Sequence, residues 1–146
     1  MTRTAFTLPV NGADGTAEPR LTREDVWAGL VAKAADPLPY IPAITECTVL
    51  SSGPQGLVRE IVLDGDRFVE DIVFDTGRRV AFHRSDDRAV WTITNDIDED
   101  ERGGLLLTFG GEYAGELGPE EAERREAALA EAVAHTLDVI RRAKAA

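Results

Sequence analysis

The sequence predicts an α+β fold, a curved antiparallel sheet of seven strands wrapped around a long C-terminal helix in the order β-α-α-β6-α. Three observations predict it. Apolar residues alternate with period two over one isolated N-terminal stretch and over six consecutive runs that begin at Ile44. Short Gly, Asp or Pro turns separate those runs, which marks hairpin connections. After Pro119 the period changes to helical and stays so. Six consecutive hairpin-linked strands make an antiparallel sheet, and the last helix has to cover one face of it, so the two enclose an internal cavity.

The elements follow in order. Thr4, Phe6, Leu8 and Val10 alternate with Ala5, Thr7 and Pro9 as a first strand, and Asn11-Gly12 and Asp14-Gly15 mark the loop after it. Thr22 is a good N-cap with Asp25 three residues on, near a capping box. Val26, Trp27, Leu30, Val31 and Ala34 then give one apolar helical face. Asp36-Pro37 offers a second cap with proline at the first helical position, and Pro39 and Pro42 keep that second helix to one or two turns. Strands are expected at about 44–51, 57–64, 67–75, 79–85, 89–98 and 104–114, with Asp64-Gly65 as a tight hairpin turn. The terminal helix is acidic in its first turn (Glu120, Glu121, Glu123) and basic in its last (Arg141, Arg142, Lys144), which complements its dipole. Leu129, Val133, Thr136, Leu137 and Ile140 form its buried stripe. Gly110-Gly111 marks a bend or bulge in the last strand.

Composition bounds the rest. The 146 residues fit a single domain over 1–146, with no internal repeat or low-complexity linker. A formal net charge of −11 repels phosphate backbones and anionic headgroups, so no nucleic-acid partner and no membrane insertion are expected. One cysteine, Cys47, excludes an internal disulfide framework and suits a reducing compartment as a small apolar filler. Residues 1–10 alternate instead of forming an apolar block, so a signal peptide is not expected, and the cytoplasm is the expected location. His83 and His135 show no metal spacing. The acidic run Asp96, Asp98, Glu99, Asp100, Glu101 departs from a calcium loop, with Glu101 where glycine is required. No phosphate-binding loop, nucleophile elbow or dinucleotide fingerprint occurs, so no cofactor is expected.

The strand, two helices, six strands and long helix resemble the helix-grip fold of the START-like (SRPBCC, Bet v 1-like) superfamily. Leu21-Thr22-Arg23-Glu24-Asp25-Val26-Trp27, the segment from Pro37 to Cys47, and Arg59-Glu60-Ile61-Val62-Leu63 look like its AtaL-like branch. The resemblance runs over essentially the whole chain. It implies a ligand-holding or product-shaping cavity between sheet and terminal helix, and no settled reaction.

Period two assigns the faces of the Asp64-Gly65 hairpin. Leu57, Arg59, Ile61 and Leu63 share one face with Phe68, Glu70, Ile72 and Phe74, the face richer in large apolar groups and hence the concave one. Arg59 and Glu70 then stand among hydrophobic walls. They are either the polar anchor of a pocket or a structural cross-strand ion pair. Trp91, Asn95 and Phe109 alternate inward on the following strands, with Asn95 able to hydrogen-bond a ligand or cap a strand end. Tyr40 gates the opening or simply packs, and the sheet face of Glu46 and Cys47 stays open. The candidate ligand-binding set is Arg59, Glu70, Phe68, Ile72, Trp91, Asn95, Phe109, Leu129 and Val133.

The leading expectation is a binding protein for a small apolar or amphipathic molecule. The alternative is a cyclase, dehydratase or isomerase acting on a polyketide-like or other secondary-metabolite intermediate, with Arg59 steadying oxyanion charge and Glu70 moving a proton. A third, a protein-interaction module using the convex face, is weakened because Glu60 and Asp71 interrupt Val58, Val62, Val69 and Val73. Related small domains often pair, so a homodimer is left open, although no stretch specifies an interface.

Overall fold

The computed structural model describes residues 1–146 and orders the elements β1 (Thr2–Pro9), α1 (Arg23–Ala35), β2 (Ile44–Gly53), β3 (Gly56–Leu63), β4 (Asp66–Asp75), β5 (Arg79–Ser85), β6 (Val90–Glu99), β7 (Leu105–Tyr113) and α2 (Pro119–Ala145). One antiparallel sheet holds all seven strands in the order β1-β7-β6-β5-β4-β3-β2. Strands β2 to β7 form a hairpin-linked meander, and β1 closes its far side by pairing with β7, Phe6 opposite Phe109. Asp64 (φ 49°) and Gly65 (φ 80°) both take the positive φ that a two-residue type I′ turn demands. That turn fixes the β3–β4 register, with Arg59 opposite Glu70 and Ile61 opposite Phe68.

Helix α1 begins with a complete capping box: the Asp25 N–H donates to Thr22 Oγ1 at 3.1 Å, and the Thr22 N–H donates to Asp25 Oδ2 at 2.8 Å. Its buried face is Val26, Gly29, Leu30, Lys33 and Ala34, so a lysine interrupts the apolar stripe. The expected second helix is replaced by turns. The Tyr40 and Ile41 N–H groups both donate to the Pro37 carbonyl at 2.9 Å, and no helix follows. Pro39 and Pro42 have no N–H to continue a ladder, and Pro42 also pushes Ile41 away from helical backbone angles.

Helix α2 buries Leu129, Val133, Thr136, Leu137 and Ile140, the stripe read from the sequence. It meets α1 where Gly29 has no side chain, since a Cβ there would overlap the Ile140 Cγ1 and Cδ1 atoms. The main core joins both helices to the sheet through Val26, Leu30, Val80, Phe82, Leu107, Phe109 and Val133. A second, smaller core of Ile44, Ile61 and Phe68 lies apart from it, with Trp91 and Cys47 packed alongside. No helix is long and apolar enough to cross a membrane.

Candidate ligand cavity

Both cores contribute walls to one cavity of about 1260 Å³: Phe82, Phe109 and Leu129 from the larger, Ile44, Ile61 and Phe68 from the smaller. Ala128 and Ala132 line it from α2, and their small side chains leave the volume unfilled. Exposed Asp64, Arg88 and Glu131 stand at its rim. Seven of the nine candidate residues line this space, namely Arg59, Glu70, Phe68, Trp91, Asn95, Phe109 and Leu129. Ile72 and Val133 do not, which corrects their assignment as cavity wall. Ile72 sits between Leu57 and Phe82 on neighbouring strands and packs into the main core. Val133, one turn beyond Leu129, is fully buried in the same core. The apolar stripe of α2 is longer than the part of it that faces open space.

The floor of the cavity is polar. Arg59 (3 % exposed) donates from Nε and Nη2 to Glu70 Oε1 at 3.0 and 2.8 Å, and from Nη1 to the carbonyls of Lys33 and Ala34 at 3.2 and 2.9 Å. A guanidinium has five N–H donors, so four are spent on a clip that ties β3 and β4 to the last turn of α1. Those carbonyls are at the negative end of the helix dipole, where a cation is favoured. Glu70 Oε2 makes no hydrogen bond.

Lys33 reaches into the same floor from α1. Its Nζ donates to Asn95 Oδ1 at 2.9 Å and lies 4.5 and 5.0 Å from the ring centres of Phe82 and Phe109. Burial pushes the Lys33 ammonium down to about 7, the Arg59 cation adding to the effect and the Glu70 carboxylate opposing it. Asn95 is 1 % exposed, and its Nδ2 finds no partner.

A second polar pole lies four residues along β6, about 13 Å away. Arg84 stacks 3.9 Å from the Phe68 ring and 4.7 Å from Trp91, and Arg125 lies 4.7 Å from Tyr113 and 5.6 Å from Trp91. Asp66 (3.0 Å) and Asp86 (2.8 Å) hold Arg84 in place. The hydrogen bonds from Arg84 and from the Arg88 backbone N–H hold the Asp86 carboxyl down at about 2. Trp91 Nε1 is buried without a hydrogen-bond partner.

Lys33 and Arg84 are the functional candidates that sequence reasoning missed. Both carried a signal: Lys33 falls seven residues after Val26 and three after Leu30, and Arg84 shares strand parity with Phe82. Of the remaining sites, His83 faces outward and bonds Thr92 Oγ1 at 3.0 Å. The His135 Nε2–H donates to the Pro39 carbonyl at 3.2 Å at the cavity edge. Tyr40 packs against the main core and lines no part of the cavity. Glu46 is exposed and paired with Arg67 at 2.6 Å, whereas Cys47 turns inward to the smaller core, where burial raises its thiol pKa. Asp100 of the acidic run holds a turn, its Oδ1 accepting from the Arg102 and Gly104 N–H groups at 2.8 Å each.

A meander closed by an N-terminal strand and gripped around a long terminal helix defines a START-like fold. Known structures share it. A START superfamily protein from Mycobacterium smegmatis superimposes with a TM-score of 0.67 over 97 % of each chain at 12 % identity. The Zhui aromatase/cyclase from Streptomyces sp. R1128 gives 0.56 over 95 % of this chain and 89 % of its own, at 17 % identity. The di-domain ARO/CYC StfQ from the steffimycin biosynthetic pathway gives 0.67 at 13 % identity over 95 % of this chain and 49 % of that one, so the chain spans about half its length. At these identities the likeness is one of fold. No curated protein is a significant match. The model of the family described as acetylaranotin biosynthesis cluster protein L, AtaL, matches residues 4–146, and the chain belongs to that family.

Proposed function

We propose that residues 1–146 act as one unit that binds a small, largely apolar molecule in the cavity between sheet and α2. The observation that carries this reading is the 1260 Å³ space itself, walled by Phe68, Phe82, Trp91, Phe109 and Leu129 and floored by a compact set of buried polar groups. Binding sites for small molecules have this composition, apolar walls that supply affinity and a few polar groups that fix orientation. Arg59 and Glu70 shape the floor and Asn95 and Lys33 face the ligand, because most of the Arg59 donors are already engaged. Native mass spectrometry of the protein purified from its own host tests the reading. A retained small-molecule mass in the wild type, lost when Ala128→Trp fills the cavity from α2, is the expected result. A mass that Ala128→Trp leaves in place overturns the cavity as its seat.

One observation favours an enzyme of the cyclase, dehydratase or isomerase kind on a polyketide-like intermediate. An amine titrating near neutrality and a carboxylate oxygen without a hydrogen bond share one floor, which suits proton transfer. Likeness of fold to aromatase/cyclases agrees with this chemistry without assigning it. Under this reading Glu70→Gln keeps ligand binding and loses turnover, whereas in a carrier there is no turnover to lose.

A further inference from the structure

We infer that Lys33 and Asn95 form an oxyanion site on the cavity floor, fitted to a ligand oxygen carrying delocalised negative charge, the oxygen of an enolate or a phenolate. The inference deepens the binding role proposed above and rests on it. Donors outnumber acceptors at this point. Asn95 Oδ1 is taken by Lys33, while both Nδ2 hydrogens of this 1 %-exposed residue go unused. Buried amides are almost always paired, so an unpaired one in a cavity wall is a donor available to a ligand acceptor. Protonated Lys33 has three hydrogens and spends one on Asn95.

The charge balance points the same way. The charged groups that act on Lys33 are Arg59 from β3 and Glu70 from β4, and these two are bonded to each other. Lys33 is then the one cation of the floor without a carboxylate of its own. Phe82 and Phe109 flank its Nζ from β5 and β7, and Leu129 and Ala132 close the space from α2.

The site discriminates among anions. A carboxylate or phosphate offers several strongly hydrated oxygens that are costly to strip of water here, and the Arg59 fork that would grip two of them at once is occupied. An enolate or phenolate offers one oxygen for two converging donors, with its charge spread over a flat apolar frame that suits aromatic walls. The proton balance closes without a further reactant. The neutral Lys33 amine takes the proton from the ligand O–H, and an ammonium–oxyanion pair remains, with Asn95 Nδ2 as the second donor. The depressed proton affinity of the empty site agrees with this exchange.

The probes are 7-hydroxycoumarin, whose phenol and phenolate absorb differently, and 7-methoxycoumarin, which cannot ionise. Wild-type protein is expected to hold 7-hydroxycoumarin as its phenolate at least about one pH unit below the pH at which the free probe ionises. The preference for the hydroxy over the methoxy probe should fall about tenfold or more in Lys33→Met, and again in Asn95→Leu, which leaves the lysine in place. A bound probe that ionises at the pH of the free one overturns the inference, as does a preference unchanged in both variants. In that case uptake of 7-methoxycoumarin leaves the cavity reading standing. Uptake of neither coumarin overturns both.

Discussion

At the scale of single residues, Arg59 and Lys33 occupy the same floor and place opposite demands on it. Arg59 neutralises Glu70 and satisfies two helix carbonyls, so Arg59→Leu leaves a carboxylate buried and unpaired. The expected loss is about 3–5 kcal/mol by urea denaturation, and the double variant Arg59→Leu/Glu70→Leu should be less damaged than the single one. Lys33 instead carries a penalty that depends on pH. Its folded-state pKa is lowered from 10.5 to about 7, so between those values the unfolded chain holds the extra proton. Stability therefore rises with pH across that window, and the full penalty of burying the charge applies below it. Measured against Lys33→Met, wild type should gain about 2–3 kcal/mol between about pH 6 and pH 9. The Arg59–Glu70 pairing was legible in the sequence because strand alternation and a two-residue turn together set which residues meet. Lys33 was legible only in its helical spacing from Val26 and Leu30, since which arc of a helix turns inward depends on what packs against it. Trp27 and Val31 belong to the apolar periodicity of α1 yet are only half-buried, whereas Gly29 and Lys33 are buried.

At the scale of elements, the local signals that held were those with a closed hydrogen-bond account. The capping box of α1 is complete, so Thr22→Ala should cost about 1 kcal/mol, read from the shift in the denaturation midpoint. The strand runs appear within a residue or two of their expected limits because each is bounded by a turn that period two cannot cross. The proline-flanked second helix failed on the same account. A cap and a proline at the first position announce a helix, but Pro42 removes the next donor after Ile41 and pushes Ile41 out of helical backbone angles, so the first turn is not extended. What emerged is a tight connection that brings Ile41 to Ile44 to the cavity wall.

At the scale of the whole molecule, the two helices meet through a residue that has no side chain. Gly29→Ala drives a methyl into Ile140, and overpacking of this kind should cost about 1–3 kcal/mol and shift α2 against the sheet. Thermal denaturation of this variant beside Ile140→Val tests whether the clash is the cause, because trimming Ile140 in the Gly29→Ala background should restore part of the loss. The architecture was legible because a sheet with one apolar face has few ways to be covered. The division of that face into packed core and empty cavity was not. Ile72 and Val133 are chemically suited to either, and only the height at which α2 crosses the sheet decides that they are core.

That same architecture has a consequence in time. Every strand from β2 onward finds its first partner next to it in sequence, but β1 waits for β7, where Thr2 meets Tyr113. At a synthesis rate of roughly 5–20 residues per second, the first strand exists for roughly 5–20 s before its partner has been made. Throughout that interval Phe6 and Leu8 have no sheet to lie in, and the growing meander ends in an unpaired edge. Non-local pairing of this kind is slow and exposed to aggregation. The step that completes the sheet therefore joins its earliest-made strand to its last-made one, and that pairing is where the folding sheet is most exposed.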